Sequence, residues 1–425
     1  MAANVTINGE IDPKFARVRD AFAQNFAERG EVGAAASIVV DGRCVVDLWA
    51  GHADQAKTRP WHRDTIVNVW STTKGLCAMC AHRLADQGKL DFDAPVAKYW
   101  PEFAQGGKGS MPVSYLLNHK AGLAAIRTPL SHDDLFSWEK VTTELARQEP
   151  WWNPGTRHGY HAITFGWLVG EVVRRISGKS LGTYFRDEIA KPLGADAHIG
   201  TGPELDPRIA EIIFATPPGP GERNIFAEMA KDPTSVSYGA IFNPPTMFVA
   251  ETTNSRAWRG AEIPGANGHA NARALARIYG ALARGGEVDG VRIMGSREIG
   301  RCYVEQSKGQ DAVLPLTTRF SLGFMLSQPG TMMGPNPHTF GHPGAGGSLG
   351  FADPDAKVGF GYAMNQMSNE PLLERLGQLE AAVRRATETI ARLREENARM
   401  VAERQQVLNH VDSILKDLAR LDEKA

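Results

Sequence analysis

Residues 66–74 read Ile66-Val67-Asn68-Val69-Trp70-Ser71-Thr72-Thr73-Lys74, an apolar β-like run followed by the polar start of a helix predicted to reach Asp86. Residues three apart in the first helical turn share a face, which places the Lys74 amine beside the Ser71 hydroxyl. A serine becomes a nucleophile when a neighbour removes its proton, and a lysine whose pKa is lowered by burial can do so. By itself the spacing also describes a helix-capping serine followed by a surface lysine, so the rest of the chain must distinguish the two.

Composition excludes several classes of partner. The chain has 425 residues, and 47 Lys and Arg against 48 Asp and Glu leave a formal net charge of -1, so no cationic field attracts nucleic acid or an anionic membrane. No apolar run approaches the roughly 18 residues of a membrane span, and residues 1–15 contain no basic leader or apolar stretch of a signal peptide. Four cysteines, with Cys77 and Cys80 in a C-x-x-C, indicate packed free thiols and a cytoplasmic protein.

The order of helical and β-like segments indicates an α+β or mixed α/β fold with an antiparallel sheet. The predicted elements are a helix at 13–29, strands at 34–40 and 44–50 joined by Asp41-Gly42, a strand-like run at 65–70, a helix at 271–284, and strands at 320–326, 348–352 and 357–364. Helical patterns alternate with Pro- and Gly-rich loops between them. Both ends of the domain therefore contribute strands to one sheet around an inserted helical region.

The C-terminal segment has a different composition from the rest of the chain. No glycine follows Gly377, and apolar residues recur in alternating steps of three and four over 372–421. This 3.5-residue period predicts a coiled coil, and Asn397 at a core position favours a parallel, in-register homodimer. An amphipathic helix folded back on the domain is the alternative. The predicted domains are 1–367 and a coiled-coil helix at 368–425, and we interpret their boundary as a fusion junction.

Further motifs follow Ser71 in order along the chain. They are Leu116-Leu117-Asn118-His119-Lys120-Ala121-Gly122-Leu123, Asn153-Pro154-Gly155-Thr156, Tyr160, Gly178-Lys179-Ser180-Leu181 and Pro192-Leu193-Gly194. With the Ser-x-x-Lys, this ensemble resembles the serine β-lactamase and penicillin-binding protein superfamily over roughly residues 10–367. It is most similar to the family VIII carboxylesterases, which are esterases of the class C β-lactamase type. The resemblance implies a largely antiparallel sheet with flanking helices and a helical subdomain within about 90–240.

The resemblance also implies roles for individual residues. Ser71 matches the acylated serine, Lys74 its partner, and Tyr160 the tyrosine of a proton relay; which of Lys74 and Tyr160 is the base stays open. His342-Pro343-Gly344 aligns with the third family motif, so the N–H groups of Ser71 and Ala345 would form the oxyanion hole. His342 and Gly344 would border the substrate, with His342 donating a hydrogen bond to a substrate oxygen or to Tyr160.

Two departures from the family pattern bear on the substrate. Ala162 replaces the asparagine of the second motif and His342 replaces the lysine of the third. Both replaced residues are polar anchors for peptide-like, anionic ligands, so hydrolysis of a small neutral ester is favoured over β-lactamase or peptidase activity. The alternatives are an acyltransferase using the same acyl-enzyme, a weak β-lactamase, and a non-catalytic scaffold dimerised by the coiled coil.

A second serine motif competes with Ser71. Residues 346–350, Gly346-Gly347-Ser348-Leu349-Gly350, satisfy G-x-S-x-G, but His410 is the only histidine that follows and it lies in the heptad segment. The close pairs His158/His161 and His338/His342 match no metal-binding motif, so no metal or cofactor is expected. Trp151, Trp152 and Trp258 are interpreted as buried aromatics, with an acyl-pocket wall as the alternative.

Overall fold

A nine-stranded antiparallel sheet forms the centre of the part of the protein that the structure describes. The computed structural model describes residues 5–215, 225–329, 333–368, 392, 396 and 398–411. The strands are β1 (Ile7–Ile11), β2 (Gly33–Val40), β3 (Arg43–Gly51), β4 (Val67–Asn68), β5 (Ala197–Ile199), β6 (Gly268–Ala270), β7 (Glu287–Val288), β8 (Val291–Arg292), β9 (Ser307–Gln310), β10 (Thr317–Phe320), β11 (Met325–Leu326), β12 (Phe340–Pro343), β13 (Leu349–Asp353) and β14 (Val358–Met364). Their order in the large sheet is β1-β3-β2-β14-β13-β12-β11-β10-β9, while β4-β6-β5 and β7-β8 form smaller sheets.

Helices cover the large sheet, and one of them begins within the Ser-x-x-Lys. The α-helices of the described residues are α1 (Ala16–Glu28), α2 (Thr73–Asp86), α3 (Ser114–Leu117), α4 (Trp138–Arg147), α5 (Thr164–Ser177), α6 (Leu181–Phe185), α7 (Ile225–Met229), α8 (Val236–Ile241), α9 (Ala250–Thr253), α10 (Arg256–Gly260), α11 (Ala272–Ala283) and α12 (Ser296–Cys302). α11 packs on β14, β2 and β13, and α2 packs beside α5. Two glycines of β14 permit the close approach of α11, because a Cβ on Gly359 would lie 2.2 Å from the Gly280 nitrogen and one on Gly361 2.1 Å from the Ala272 carbonyl oxygen.

The predicted fold class is confirmed. β1–β3 from the N-terminal part and β9–β14 from the C-terminal part pair in one antiparallel sheet, as the order of patterns indicated. Asp41 and Gly42 join β2 to β3 with φ of 49° and 85°, the two left-handed positions of a type I′ hairpin turn. The four cysteines are free thiols, and Cys77 and Cys80 are buried on α2.

Two predicted strands differ from the structure. Residues 320–326 form a hairpin rather than one strand, since β10 ends at Phe320, β11 begins at Met325, and Gly323 between them has a φ of +88°. The run before Ser71 contributes only the two residues of β4 to the three-stranded sheet. Trp70, two residues after β4, adopts a φ of 46° and so departs from extended geometry.

The predicted coiled coil is described only in part. Residues 398–411 are helical with exposed side chains, and the large apolar side chains among them are Met400, Val401, Val407, Leu408 and Val411. Most other heptad positions, Asn397 included, and most of the junction at 368–371 lie outside the described residues. No helix within the described ranges is long and apolar enough to cross a membrane.

Candidate active site

Ser71 lies in a tight turn between β4 and α2. The Val69 N–H donates to the Gly268 carbonyl at 2.8 Å, and Trp70 then adopts a left-handed conformation that is uncommon for a bulky side chain. The Thr73 hydroxyl fixes the turn by donating to the Trp70 carbonyl and accepting from the Gly268 N–H at 2.9 Å. Ser71 stays partly exposed while Thr73 is buried, so the turn presents the serine at the start of α2.

Aromatic packing around Trp70 holds this strained turn. The Trp70 ring stacks on Phe248 with centroids 5.1 Å apart and an interplanar angle of 14°, and it packs on Trp258 at 6.0 Å. Trp258 therefore supports the nucleophile turn from within the core, as its interpretation as a buried aromatic predicted. Trp151 and Trp152 donate their indole N–H groups to backbone carbonyls. Tight packing of this kind is what keeps a residue in a rarely populated backbone conformation.

Lys74 is fully buried beside the serine. Its Nζ lies 3.0 Å from Ser71 Oγ and donates to the Gly265 carbonyl at 2.7 Å. The same Nζ lies 4.7 Å from the centroid of the Tyr160 ring. Burial lowers the pKa of the Lys74 amine well below its usual range, because a charged ammonium loses its hydration in the protein interior. A neutral amine next to a serine hydroxyl can accept the hydroxyl proton.

The Gly265 carbonyl is a site group that the sequence did not reveal. A Cβ on Gly166 of α5 would lie 2.1 Å from the Gly265 nitrogen, so the absence of a side chain there lets the loop approach. The Asn267 amide donates to the Ala261 carbonyl at 2.7 Å and stabilises the same loop. The contact to Lys74 uses a main-chain oxygen, and no side-chain pattern marks such a group.

Tyr160 completes the group of predicted residues. The centroid of its ring lies 6.1 Å from that of Phe320, with an interplanar angle of 6°, and 5.9 Å from that of His342, with an interplanar angle of 28°. Burial raises the pKa of the Tyr160 phenol, with the neighbouring Ser71 hydroxyl acting in the opposite direction, so the phenol stays protonated at neutral pH. The structure therefore brings Tyr160 together with Ser71 and Lys74, although the tyrosine lies more than 80 residues further along the chain.

The third motif lies against the Ser71 turn. A Cβ on Gly344 would lie 2.4 Å from the Val69 carbonyl oxygen, so only glycine is accommodated. Ser348 is buried, donates to that same carbonyl at 2.7 Å, and is followed by β13 rather than a helix. In the part of the chain that the structure describes, the N–H groups of Ser71 and Ala345 have no hydrogen-bond acceptor. Both remain available for an oxyanion.

The geometry of His342 reverses the donor role expected for it. Its Nδ1 lies 2.7 Å from the Pro343 carbonyl, an acceptor, so the ring proton is on Nδ1. Burial, the larger cause, lowers the pKa of His342 to about 3, and a proton on the nearby Lys74 acts in the same direction, which leaves Nε2 as an unprotonated acceptor. That nitrogen is buried and has no hydrogen-bond partner among the described residues. His342 therefore brings neither a proton donor nor a positive charge to the site.

Two further histidines, His119 and His161, lie next to Tyr160. His119 Nδ1 accepts from the His161 N–H at 3.1 Å, and its ring packs on Tyr160 at 5.2 Å and on Phe320 at 4.4 Å. Burial lowers the pKa of both imidazoles, that of His161 to about 4. The motif at 116–123 contained His119, but nothing in that motif indicated its contact with Tyr160.

The histidine pairs considered for metal binding have other partners. His158 Nε2 lies 2.9 Å from the Thr318 hydroxyl, and the exposed His338 pairs with Asp355 at 2.8 Å. Across the described ranges, no group of three or more His, Cys, Asp or Glu side chains is arranged to hold a metal ion.

The antiparallel sheet and the buried lysine beside a helix-start serine define the β-lactamase-like class of serine hydrolases. The family model described as Beta-lactamase matches residues 18–384, and the chain belongs to that family. The Mycobacterium tuberculosis protein "Esterase/beta-lactamase LipL" is 39% identical over 366 residues, which are 84% of this chain and 83% of LipL.

Solved structures agree with this assignment. The crystal structure of a family VIII carboxylesterase is 43% identical, with a TM-score of 0.82 over 90% of this chain and 100% of that one. A novel penicillin-binding protein homologue from Caulobacter crescentus is 37% identical, with a TM-score of 0.80 over 90% and 100% of the two chains. The resemblance to family VIII carboxylesterases that the sequence motifs predicted is thus confirmed.

Proposed function

We propose that this protein is a carboxylesterase that hydrolyses small neutral esters through an acyl-enzyme on Ser71. The observation that carries the proposal is the 3.0 Å contact of the Lys74 amine with the Ser71 hydroxyl, together with a pKa of that amine lowered by burial. The esterase in the name of LipL and the family VIII carboxylesterase among the solved structures support the same enzyme class.

In the acylation step, Ser71 Oγ attacks the ester carbonyl carbon while its proton passes to the neutral Lys74 amine. The N–H groups of Ser71 and Ala345 stabilise the oxyanion of the tetrahedral intermediate. As the bond to the alcohol breaks, the Tyr160 phenol protonates the leaving alkoxide and regains a proton from Lys74. The directions of the two pKa shifts favour this division, with the amine as base and the phenol as acid.

Deacylation uses the same groups with water as the nucleophile. Water loses a proton to the Lys74 amine and attacks the acyl carbonyl, and the oxygen of Ser71 leaves with a proton returned by the Lys74–Tyr160 pair. Substrate choice follows from the two departures from the family pattern. Ala162 offers no amide to an acyl side chain, and the neutral His342 offers no positive charge to a carboxylate, so neutral esters suit the site better than anionic ones.

The test compares Ser71→Ala with the wild type on a short-chain chromogenic ester. We expect loss of turnover and loss of the acyl adduct in the intact-protein mass, because the attacking oxygen is gone. Lys74→Met is expected to lose about as much activity, since members of one catalytic unit are not additive. Full residual turnover of Ser71→Ala would overturn the proposal.

The same mass measurement, together with analysis of the small-molecule products, separates the proposed hydrolase from its alternatives. A β-lactam adduct at Ser71 that disappears with time as ring-opened product accumulates would indicate weak β-lactamase activity, and the name of LipL makes this comparison relevant. Transfer of the acyl group to an added alcohol or amine would indicate an acyltransferase. Absence of any Ser71 adduct with a fluorophosphonate would favour the scaffold alternative.

We also propose that the chain forms a homodimer in the cytoplasm through a parallel coiled coil at 372–421. The heptad spacing supports it, as do the exposed apolar side chains of the helix at 398–411, since such a stripe is stabilised by pairing with a second copy. The division into domains at 1–367 and 368–425 stays a prediction. Four free cysteines agree with a reducing compartment.

A further inference from the structure

The segment that carries Tyr160 has no regular secondary structure. Residues 157–161 belong to neither a helix nor a strand, so the hydrogen bonds of a ladder or a helix do not determine where the phenol lies. The N–H groups of Gly159 and His161 are bound by His119, through its carbonyl at 3.0 Å and its Nδ1 at 3.1 Å. The N–H of Tyr160 itself is bound by a carboxylate, Asp311 Oδ1, at 2.9 Å.

Asp311 is buried, and both oxygens of its carboxylate accept hydrogen bonds. Besides the Tyr160 N–H, Oδ1 accepts from the N–H groups of Val313 and Leu314 at 2.9 Å each, and Oδ2 accepts from the Thr318 hydroxyl at 2.8 Å. The carboxylate thereby closes the loop at 311–316 between β9 and β10 and connects that loop to the tyrosine. An ionised carboxylate suits this arrangement because it accepts several hydrogen bonds at once.

The same hairpin contacts the other side of the tyrosine. β10 carries Thr318, bound to Asp311, and Phe320, whose ring stacks on Tyr160 with an interplanar angle of 6°. Because the Thr318 hydroxyl donates to Asp311, it accepts from His158 Nε2 at 2.9 Å, which links β10 to the chain two residues before Tyr160. One hairpin thus contacts the backbone of Tyr160, its ring, and His158 two residues before it.

We propose that Asp311 is a positioning residue that sets the place of the Tyr160 phenol relative to Ser71 and Lys74. The inference rests on the proposed role of Tyr160 in the ester hydrolysis. Asp311 touches no reacting atom and acts only through the tyrosine. Proton transfer requires donor and acceptor within hydrogen-bond reach, so a small displacement of the Tyr160 segment would slow turnover while leaving ester binding largely unchanged.

The test is a double-mutant cycle on the full-length enzyme. Asp311→Ala is expected to lower kcat about 100-fold with little change in KM, the scale expected for misplacement of a catalytic group. Asp311→Asn keeps an acceptor oxygen for the Tyr160 N–H and is expected to retain most of kcat. In a Tyr160→Phe background, Asp311→Ala is expected to cost little more, because the group that it positions is already gone.

The matched control is Asp353→Ala. Asp353 at the end of β13 is also a buried carboxylate, and it accepts from the Ala356 N–H in the following turn and from Asn336 Nδ2, so its loss is expected to lower stability and leave kcat unchanged. If Asp311→Ala does not fold, Asp311→Ser keeps a turn-capping oxygen for the nearby Val313 N–H but is too short to hold the tyrosine, and it takes the place of the alanine variant.

If Ser71→Ala is inactive, so that the proposed function holds, two results would overturn the inference about Asp311. One is wild-type kcat in the folded Asp311→Ala or Asp311→Ser variant. The other is a loss of the same size in the wild-type and Tyr160→Phe backgrounds, since a purely structural role would act independently of the phenol. Full activity of Ser71→Ala is a different outcome and would overturn the proposed function itself.

Discussion

The hydroxyl of Ser348 donates a 2.7 Å hydrogen bond to the carbonyl of Val69, 279 residues earlier in the chain. It also lies 3.2 Å from the Thr72 hydroxyl. These contacts join the loop after β12, which carries Ala345, to the turn that carries Ser71. The relative position of the Ser71 and Ala345 N–H groups therefore depends on Ser348, the serine of the competing G-x-S-x-G motif.

We expect Ser348→Ala to destabilise the fold without removing the nucleophile. Loss of the hydroxyl removes one of two donors to the buried Val69 carbonyl, which still accepts from the Thr72 N–H, so the free energy of unfolding is expected to fall by about 1 kcal/mol. Urea unfolding measures that cost, and intact mass after treatment with a fluorophosphonate reports labelling at Ser71. A stable variant that no longer takes the label would instead identify Ser348 as the nucleophile.

The activity is expected to fall on the acidic side because Lys74 must be neutral to act as a base. Burial lowers its pKa, so the rate rises with pH through that lowered pKa and the acidic limb lies well below the usual range of lysine. Lys74→Arg stays protonated and is expected to lower kcat by about 100- to 10,000-fold. The measurement is kcat for a neutral ester over the acidic and neutral range.

Lys108→Arg is the matched control for that substitution. Lys108 is also buried, but its amine donates to three backbone carbonyls, those of Gln105, Ala146 and Gln148, away from the serine. The variant is expected to change stability and leave the acidic limb where it is. A Lys74→Arg enzyme with a wild-type pH profile would contradict the role of the amine.

A buried ion pair between His82 and Glu298 is expected to make stability depend on pH. Nδ1 faces Glu298 Oε1 at 2.7 Å and Nε2 faces the Leu322 carbonyl at 2.8 Å, so both nitrogens donate. Burial alone would lower the pKa of His82, but Cys302 and Glu298 outweigh it and raise the pKa from 6.5 to about 10. The stabilisation is complete below pH 6.5 and is lost as the pH rises through about 10.

Urea unfolding of the wild type and His82→Leu at several pH values tests this expectation. At neutral pH the variant is expected to lose about 3 kcal/mol, because the carboxylate of Glu298 is left buried without its main partner. The difference between the two proteins should shrink toward alkaline pH. The exposed His338→Gln serves as the control, and a His82→Leu difference that stays constant with pH would contradict a protonated His82.

Deletion of residues 380–425 is expected to convert the dimer into a monomer with unchanged specific activity. The described part of that segment, the helix at 398–411, has exposed side chains, and the site residues lie far upstream in the chain. Light scattering gives the mass in solution. A truncated protein that remains a dimer would show that the heptads do not pair the chains.

Local patterns in the sequence determined the element types and the placement of Lys74 beside Ser71. The hairpin at Asp41-Gly42, the helix α2 and the i,i+3 relation of Ser71 to Lys74 all depend on residues within one or two turns of each other, and the structure has them where the patterns predicted. The order of these patterns predicted the fold class, whereas the approach of Tyr160 to Ser71 was predicted from the resemblance to a family.

Tertiary structure decided which groups surround those residues. The Gly265 carbonyl reaches Lys74 across 191 residues and Asp311 reaches Tyr160 across 151, and each contact involves a main-chain group that no side-chain pattern marks. Which ring nitrogen of His342 carries the proton depends on where the Pro343 carbonyl points, and the sequence pattern does not show that. Spacing along a chain determines local geometry, whereas long-range hydrogen bonds to the backbone exist only once the chain has packed.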